Sequence, residues 1–183
     1  MILAKEDIIT LIKKRRSVRS FTDKKVPRDL LDQLIEGAIW APTGSNIQPW
    51  FFGLVDDPVV VDQIISFSPG LLGNPPCVIV LCSDKQRAYE KGAELGRDIL
   101  CVMDISMAAQ NILLVATEKG LSTCCVKSFN KRAVNKILGL PEHLEAELII
   151  SVGYAQKEPP RPSRRSKEKV SFYNSWDDSD EQN

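Results

Sequence analysis

Residues 41–50 read Ala-Pro-Thr-Gly-Ser-Asn-Ile-Gln-Pro-Trp and join two segments of different apolar periodicity. Before them, apolar residues recur at helical spacing from Leu30 to Ala38, which predicts a helix. That helix should end at residue 41, because Pro42 disfavours a helical conformation in the residue before it. After them, residues 50–55 are typical of a strand. We therefore expect a polar loop between a helix and a strand.

Further helices and strands are predicted on both sides of this loop. Residues 97–119 are apolar nearly all round, so they should form a central buried helix. The continuous apolar run 77–82 is typical of a strand buried on both faces. The remaining expectations are helices from Ile8, over 58–65 and over 130–138, and strands over 121–127 and 146–152.

The composition is that of one folded domain covering residues 1–183. Hydrophobic residues make up 43% and charged residues 26% of the 183-residue chain. Lys+Arg and Asp+Glu both number 24, so the excess positive charge of a dedicated nucleic-acid or membrane-surface binder is missing. No uninterrupted apolar run approaches the roughly 18 residues of a membrane span. We expect no nucleic-acid partner and no membrane partner.

The cysteines and the single histidine exclude several chemistries. The five cysteines are an odd number, and Cys77, Cys82 and Cys101 lie in apolar sequence, which predicts buried free thiols and a cytoplasmic location. Charge from Lys5 onward leaves no room for a signal-peptide core. Because His143 is the only histidine, a His-based triad or a two-His zinc site is excluded, and we expect no metal.

Three polar stretches could carry chemistry. The first, Arg-Arg-Ser-Val-Arg-Ser-Phe over 15–21, offers guanidinium groups that suit a phosphate, although a solvated basic helix end would look the same. The second, residues 41–50, offers donors and acceptors for a heteroaromatic ring, or for its own loop backbone. The third is Gly-Leu-Ser-Thr-Cys-Cys-Val-Lys-Ser-Phe over 120–129, where ordinary strand packing explains the cysteines and we assign no catalytic thiol.

Taken in order, these motifs resemble the nitroreductase family of FMN-dependent oxidoreductases. The resemblance rests on Arg-Arg-Ser-x-Arg-x-Phe, Ala-Pro-Thr-x-x-Asn-x-Gln-Pro-Trp, Gly-Leu-x-Thr-Cys, and Gly-Tyr followed by Pro-Pro and Arg-Arg. It extends from about Ile8 to Trp176. It implies an α+β fold with a central mixed sheet wrapped by helices, and an intertwined homodimer with FMN at the subunit interface. The tail, about 156–183, would cross to the partner subunit.

The resemblance also implies which residues bind the flavin. Arg15, Ser17 and Arg19, with Arg16 beside them, would hold the phosphate and the pyrimidine edge of FMN. The 41–50 loop would reach the FMN of the other subunit. The remaining expected contacts are Pro42, Thr43, Gly44, Ser45 and Asn46, supported by Gln48; Lys127 and Ser128 at the flavin ring; and Arg164 and Arg165 at the phosphate.

The implied activity needs no catalytic side chain, because the flavin carries the redox chemistry. NADH or NADPH would reduce FMN, and a small organic acceptor such as a nitroaromatic or a quinone would reoxidise it in a ping-pong scheme. Lys127-Ser128 departs from the family, in which Gly-Gly is common at this position. A non-catalytic flavin-storage protein and a flavin-dependent dehalogenase of the same fold remain alternatives.

Overall fold

The computed structural model of the protein describes residues 7–176. The expectation for Lys5, and that for the part of the tail after residue 176, lie outside the described residues. Helices and strands alternate irregularly along the chain, as in an α+β fold. In chain order they are α1 (Ile8–Lys14), α2 (Arg28–Ile39), β1 (Trp50–Val55), α3 (Pro58–Ser66), β2 (Cys77–Asp84), α4 (Lys85–Leu95), α5 (Cys101–Glu118), β3 (Ser122–Val126), α6 (Lys131–Ile137) and β4 (Leu144–Gly153).

The four strands form one sheet in the order β1-β2-β4-β3, with antiparallel pairing throughout. The expectation of a mixed sheet is therefore wrong for these three ladders. Within the described residues, parallel pairing is confined to a single bridge between Ser17 and Thr123, because the segment before α2 passes β3 with only one paired residue. The β2–β4 register shifts between Leu81 and Cys82, which leaves Glu147 as a bulged residue without a ladder partner.

Helices cover both faces of this sheet. On one face α2 and α5 pack over Ile79, Leu81 and Ile150, and on the other α3 and α6 pack over Val80 and Ile149. Strand β2 is buried on both faces, as its continuous apolar sequence predicts. Two apolar layers therefore hold the sheet between helices.

The segment 85–118 differs from its prediction in two respects. Sequence periodicity places one helix from about residue 97, whereas α4 precedes a π turn (Gly96–Leu100) that leads into α5. Only one face of α5 is buried within the chain; on the other side Met103 and Met107 are exposed, as is Ile99 of the π turn. An all-round apolar helix is fully buried only if another surface covers its second face.

By length and composition, the continuous helical segment Lys85–Glu118 could cross a membrane. However, 44% of its most apolar 18-residue stretch is buried inside the protein. The core helix of a globular domain passes the same test. The buried face of α5 packs on the sheet and on α2, as expected for such a core helix.

Local sequence accounts for two helix ends, and the expectation of buried free thiols is confirmed. Gly120 ends α5 with φ +71°, the left-handed conformation of a helix C-cap. The Asn130 side chain accepts from the Ala133 amide and caps α6. Cys77, Cys82 and Cys101 are buried free thiols, and burial raises the pKa of Cys77 to about 12. Burial raises the pKa of Cys82 in the same way, so Cys77 and Cys82 are structural thiols at neutral pH.

Candidate functional site

Basic side chains from the two ends of the chain meet at one cavity of about 340 Å³. The described lining contains no carboxylate, so the cavity is suited to an anion. The contributions come from the segment after α1 and from the Pro-rich tail. The lining residues are Arg15, Arg16, Ser17, Arg19, Pro159, Pro160, Pro162 and Arg164.

The segment 15–19 owes its position to a short strand-like contact with β3. The Val18 amide donates to the Thr123 carbonyl at 2.9 Å, and the Val18 side chain is buried. Because successive side chains of extended backbone point to opposite sides, burial of Val18 directs Ser17 and Arg19 away from the core. Arg15 Nη1 lies 3.4 Å from Ser17 Oγ, to which it donates. The hydroxyl and guanidinium groups therefore cluster at the cavity.

The four arginines of the cavity are not equivalent. Arg16 Nη1 donates to the carbonyls of Lys13, Lys14 and Arg15, so it caps the C-terminal end of α1. The Arg19 guanidinium makes no hydrogen bond or ion pair with any described residue. Arg19 is therefore available to an incoming anion, whereas Arg16 is partly used by the fold.

The tail brings only one member of its arginine pair to the cavity. Arg164 lines it and donates to the Ser163 carbonyl at 2.9 Å. Arg165 instead donates to the Lys169 carbonyl of the tail itself and does not line the cavity. The expected contact of Arg165 with a phosphate stays a prediction.

The 42–48 loop is fixed at both of its ends. The Gly44 amide donates to Asp104 Oδ1 at 3.1 Å, and the Ile47 carbonyl accepts from Arg87 Nε at 2.6 Å. The Ile47 side chain is buried against α4, whereas Ser45 is exposed. The loop thus presents polar side chains outward from two buried attachment points.

The backbone of this loop adopts unusual conformations. Ser45, Asn46 and Gln48 have φ values of 49°, 54° and 52°, in the left-handed region that non-glycine residues rarely occupy. Gln48 Nε2 donates to Asn46 Oδ1 at 3.0 Å, and the Gln48 amide donates to Thr43 Oγ1 at 3.3 Å. Side-chain hydrogen bonds within the loop therefore support its strained tip.

The loop and the arginines occupy different places within one chain. The described lining of the arginine cavity contains no loop residue. The loop contacts Leu100 at the end of the π turn and Asp104 in α5, whereas a neighbouring basic cavity of about 490 Å³ reaches α5 at Gln110. Gln110 lies six positions after Asp104, which places it about 9 Å farther along the helix axis. The protein therefore brings the first polar stretch together with the Pro-rich tail, but not with the 41–50 loop.

The third stretch lies at the end of β3, where Lys127 is tied to the bulge of β4. Lys127 Nζ donates to the Glu147 carbonyl at 2.7 Å and lies 3.2 Å from Glu147 Oε2. The Ser128 carbonyl accepts from the Gly70 amide. The Lys127 ammonium is thus held by a carboxylate, and its expected place near a flavin ring stays a prediction.

Glu147 is the centre of an ionic cluster that sequence reasoning missed. It is 4% exposed, and its carboxylate contacts Lys85 Nζ at 2.9 Å and Lys131 Nζ at 3.0 Å, besides Lys127. Burial alone would raise the pKa of Glu147, but the hydrogen bonds from these lysines outweigh burial and lower it to about 2. The carboxylate is therefore ionised at neutral pH. No short motif links these positions, since the contacts join four separate elements.

Asp104 and Arg87 were also missed as loop-holding residues. Asp104 has a sequence signal: it is the sole charged residue between Asp98 and Glu118, in otherwise uncharged and mostly apolar sequence. Such a residue must have a buried partner or pay for desolvation. Arg87 has no comparable signal, because its partner is a backbone carbonyl.

Cys124 and Cys125 show no sign of an activated thiol. Burial raises the pKa of Cys124, against the opposing effect of Arg19 and a hydrogen bond with Ser17. A thiol with a raised pKa is a poor nucleophile at neutral pH.

The sheet, its helix layers and the cavity lined by arginines define an α+β protein with a basic cavity that is suited to an anion. The family model of the nitroreductase family matches residues 12–68 and 66–154. The chain belongs to the nitroreductase family, and it is an oxidoreductase of that family.

Individual relatives agree with this assignment. A Methanothermobacter thermautotrophicus protein with the provisional name NADH dehydrogenase/NAD(P)H nitroreductase is 28% identical over 163 residues, 86% of this chain and 82% of that protein. The crystal structure of a nitroreductase family protein from Clostridium difficile 630 matches with a TM-score of 0.83 at 27% identity, over 94% of this chain and all of the other. An FMN-dependent nitroreductase from Clostridium difficile R20291 matches with a TM-score of 0.79 at 27% identity, over 92% of this chain and 99% of the other.

Proposed function

We propose that the protein binds FMN and transfers a hydride from NADH or NADPH through it to an organic acceptor such as a nitroaromatic or a quinone. The observation that carries the proposal is the cavity lined by Arg15, Ser17, Arg19 and Arg164 without a described carboxylate. Bidentate guanidinium groups and a hydroxyl are the donors that a phosphate monoester requires. The FMN-dependent relative supports the choice of ligand.

In this proposal the chain supplies position and charge. Arg19 and Arg15 bind the phosphate or the pyrimidine edge, Ser17 adds a hydroxyl donor, and Arg164 closes the cavity from the tail. Bound FMN would supply the two-electron chemistry, taking hydride from the nicotinamide and passing it on. Positive groups near the cofactor stabilise the negative charge that reduction develops. No side chain needs to act as an acid or a nucleophile.

We further propose a homodimer in which the 42–48 loop completes the site of the partner subunit. Within one chain, the loop tip lies apart from the arginines and presents Ser45 and Asn46 to solvent. Beside it, Ile99 of the π turn and Met103 and Met107 of α5 are exposed, and contiguous apolar surface of this kind marks interaction sites. The tail would lie across this dimer, and the cytoplasmic location and single-domain organisation stay predictions.

The proposal is tested by identifying the chromophore and then reducing it. The protein is either purified with its flavin bound or reconstituted with FMN afterwards. When it is then denatured, it should release one FMN per chain. Anaerobic mixing with NADH and with NADPH should bleach the bound flavin within one turnover, and an acceptor panel should give parallel double-reciprocal lines. Bound flavin that neither nucleotide bleaches would indicate the storage alternative. Failure to bind FMN at all would contradict the proposal.

A further inference from the structure

The Asp104 carboxylate is buried in a position that the packing of α5 does not explain. The residue is 2% exposed, on the face of the helix that otherwise carries apolar residues such as Ile105 and Ala108. Its Oδ1 accepts the Gly44 amide at 3.1 Å, and its Oδ2 is buried without a hydrogen-bond partner among the described residues. Burying a carboxylate oxygen that lacks a hydrogen-bond partner lowers the stability of the folded state. Stability therefore gives no reason for an Asp at this position.

The contact that Asp104 does make is at the start of the strained loop. Gly44 lies so close to α5 that an added Cβ would stand 2.9 Å from Leu100 Cδ1. The next two residues, Ser45 and Asn46, both have positive φ. Conformations of this kind persist only where the surroundings fix them, and they concentrate at ligand-binding sites. Through its hydrogen bond with the Gly44 amide, α5 can fix the conformation of Ser45 and Asn46.

The second attachment point does not replace the first. Arg87 and the buried Ile47 side chain hold the loop after its tip. Without the Asp104 contact, the hydrogen bonds between the loop and the helix layer would come only from that far side. A hydrogen bond on each side of the tip restricts its direction more than one bond does.

We propose that Asp104 is the positioning residue of the 42–48 loop, fixing the Gly44 amide so that Ser45 and Asn46 are preorganised for the flavin. This inference rests on the proposed function. The task needs a buried oxygen that accepts from the Gly44 amide and does not need a charge, because burial raises the pKa of Asp104. Asp104 contacts neither substrate nor cofactor in this arrangement and acts through the loop.

Three variants separate this role from a merely structural one. Asp104→Leu removes the acceptor, and Asp104→Asn keeps an oxygen acceptor in nearly the same volume. Ile112→Ala, on the same buried face of α5 and without a loop contact, is the matched control for general loss of stability. The measurements are amide hydrogen exchange over residues 43–48 in the FMN-free protein, and FMN affinity from the quenching of flavin fluorescence.

Asp104→Leu should accelerate exchange over 43–48 and weaken FMN binding about tenfold, the effect of about 1.4 kcal/mol. Asp104→Asn should restore both properties to near the wild-type values. Ile112→Ala should lower the melting temperature with FMN affinity unchanged. Unchanged loop exchange in Asp104→Leu, or an Asn variant as impaired as the Leu variant, would overturn the inference. Wild-type protein that binds no FMN would instead overturn the proposed function, while the exchange measurement would still decide the role of Asp104.

Discussion

Arg19 is an arginine with a cavity beside it and no described hydrogen-bond or ionic partner. Replacing Arg19 or Arg15 by Ala should therefore remove a charge-assisted bond to FMN worth about 1.5–3 kcal/mol, which corresponds to about 10- to 150-fold in affinity. Fluorescence titration of the apoprotein measures this change. Arg28→Ala is the control, because its exposed guanidinium pairs only with surface carboxylates. Unchanged affinity in both site variants would restore the alternative of a solvated basic helix end.

His143, in contrast to Arg19, is expected to have no role in binding or turnover. Its side chain is exposed, and the contact it makes is through its backbone carbonyl, which accepts from the Lys85 amide at 2.9 Å. His143→Gln keeps that carbonyl, so turnover and its pH profile should be nearly unchanged. Steady-state kinetics between pH 6 and 8, the range in which an imidazole titrates, check this result. A large loss of rate would show that the site lies elsewhere.

The Glu147 cluster predicts a pH-dependent stability. Because its pKa in the folded protein, about 2, lies below the ordinary value of 4.5, Glu147 contributes stability that is present above pH 4.5 and lost as the pH falls toward 2. Glu147→Gln should lose about 1.5–3 kcal/mol at pH 7, since it removes the charge-assisted bonds between this carboxylate and three partly exposed lysines. Urea unfolding should then show a shallower acid slope in the variant, by up to about 1.4 kcal/mol per pH unit. Parallel slopes would contradict this account.

At the scale of elements, sequence periodicity predicted the bounds of helices and strands best where local signals determine them. β1 was predicted with its observed bounds, and α3 and α6 within one residue, because caps and apolar alternation are local signals. The sequence analysis missed the amphipathic helix α4. It also missed the non-helical Ala93 near the end of α4 and the π turn between α4 and α5. Contacts across the molecule stabilise such irregularities, so a local window does not contain their cause.

The same distinction applies to the candidate site. The three polar stretches could be found in the sequence, and the structure places Arg15, Ser17, Arg19 and Arg164 around one cavity. Asp104 stood out in the sequence as an isolated charge, but its partner could not be identified, because Gly44 and Asp104 are 60 residues apart in the chain. The anchoring of Lys127 on Glu147 depends on a strand bulge, which no spacing rule reveals.

Packing of α2 on α5 depends on Gly37. An added Cβ at this position would stand 2.7 Å from Val115 Cγ2, so Gly37→Ala should overpack the contact and cost about 1–3 kcal/mol despite the better helix propensity of Ala. Val115→Ala removes the clashing methyl group. In a double-mutant cycle followed by thermal unfolding, the combined variant should be more stable than the sum of the two single losses predicts. Additive losses would mean that α2 shifts instead.

At the scale of the whole molecule, one chain carries both halves of the proposed site but holds them apart. The cavity lies beside β3 and the tail, while the loop tip projects from the start of α5 next to an uncovered apolar face. A two-fold dimer would cover that face and pair each cavity with the loop of the other chain. Interfaces of obligate dimers bury more than about 2,000 Å². Light scattering should therefore show a dimer at micromolar concentration.

Subunit complementation distinguishes a shared site from two separate ones. Arg19→Ala and Asn46→Ala homodimers should both bind FMN weakly, since every site carries one substitution. In a heterodimer of the two variants, purified through two different tags, a shared arrangement concentrates both substitutions in one site and leaves the other intact. Titration should then find one FMN per dimer at wild-type affinity, against two for a doubly tagged wild-type dimer. If each loop served the arginines of its own chain, both sites would carry a substitution, and no site of wild-type affinity would appear.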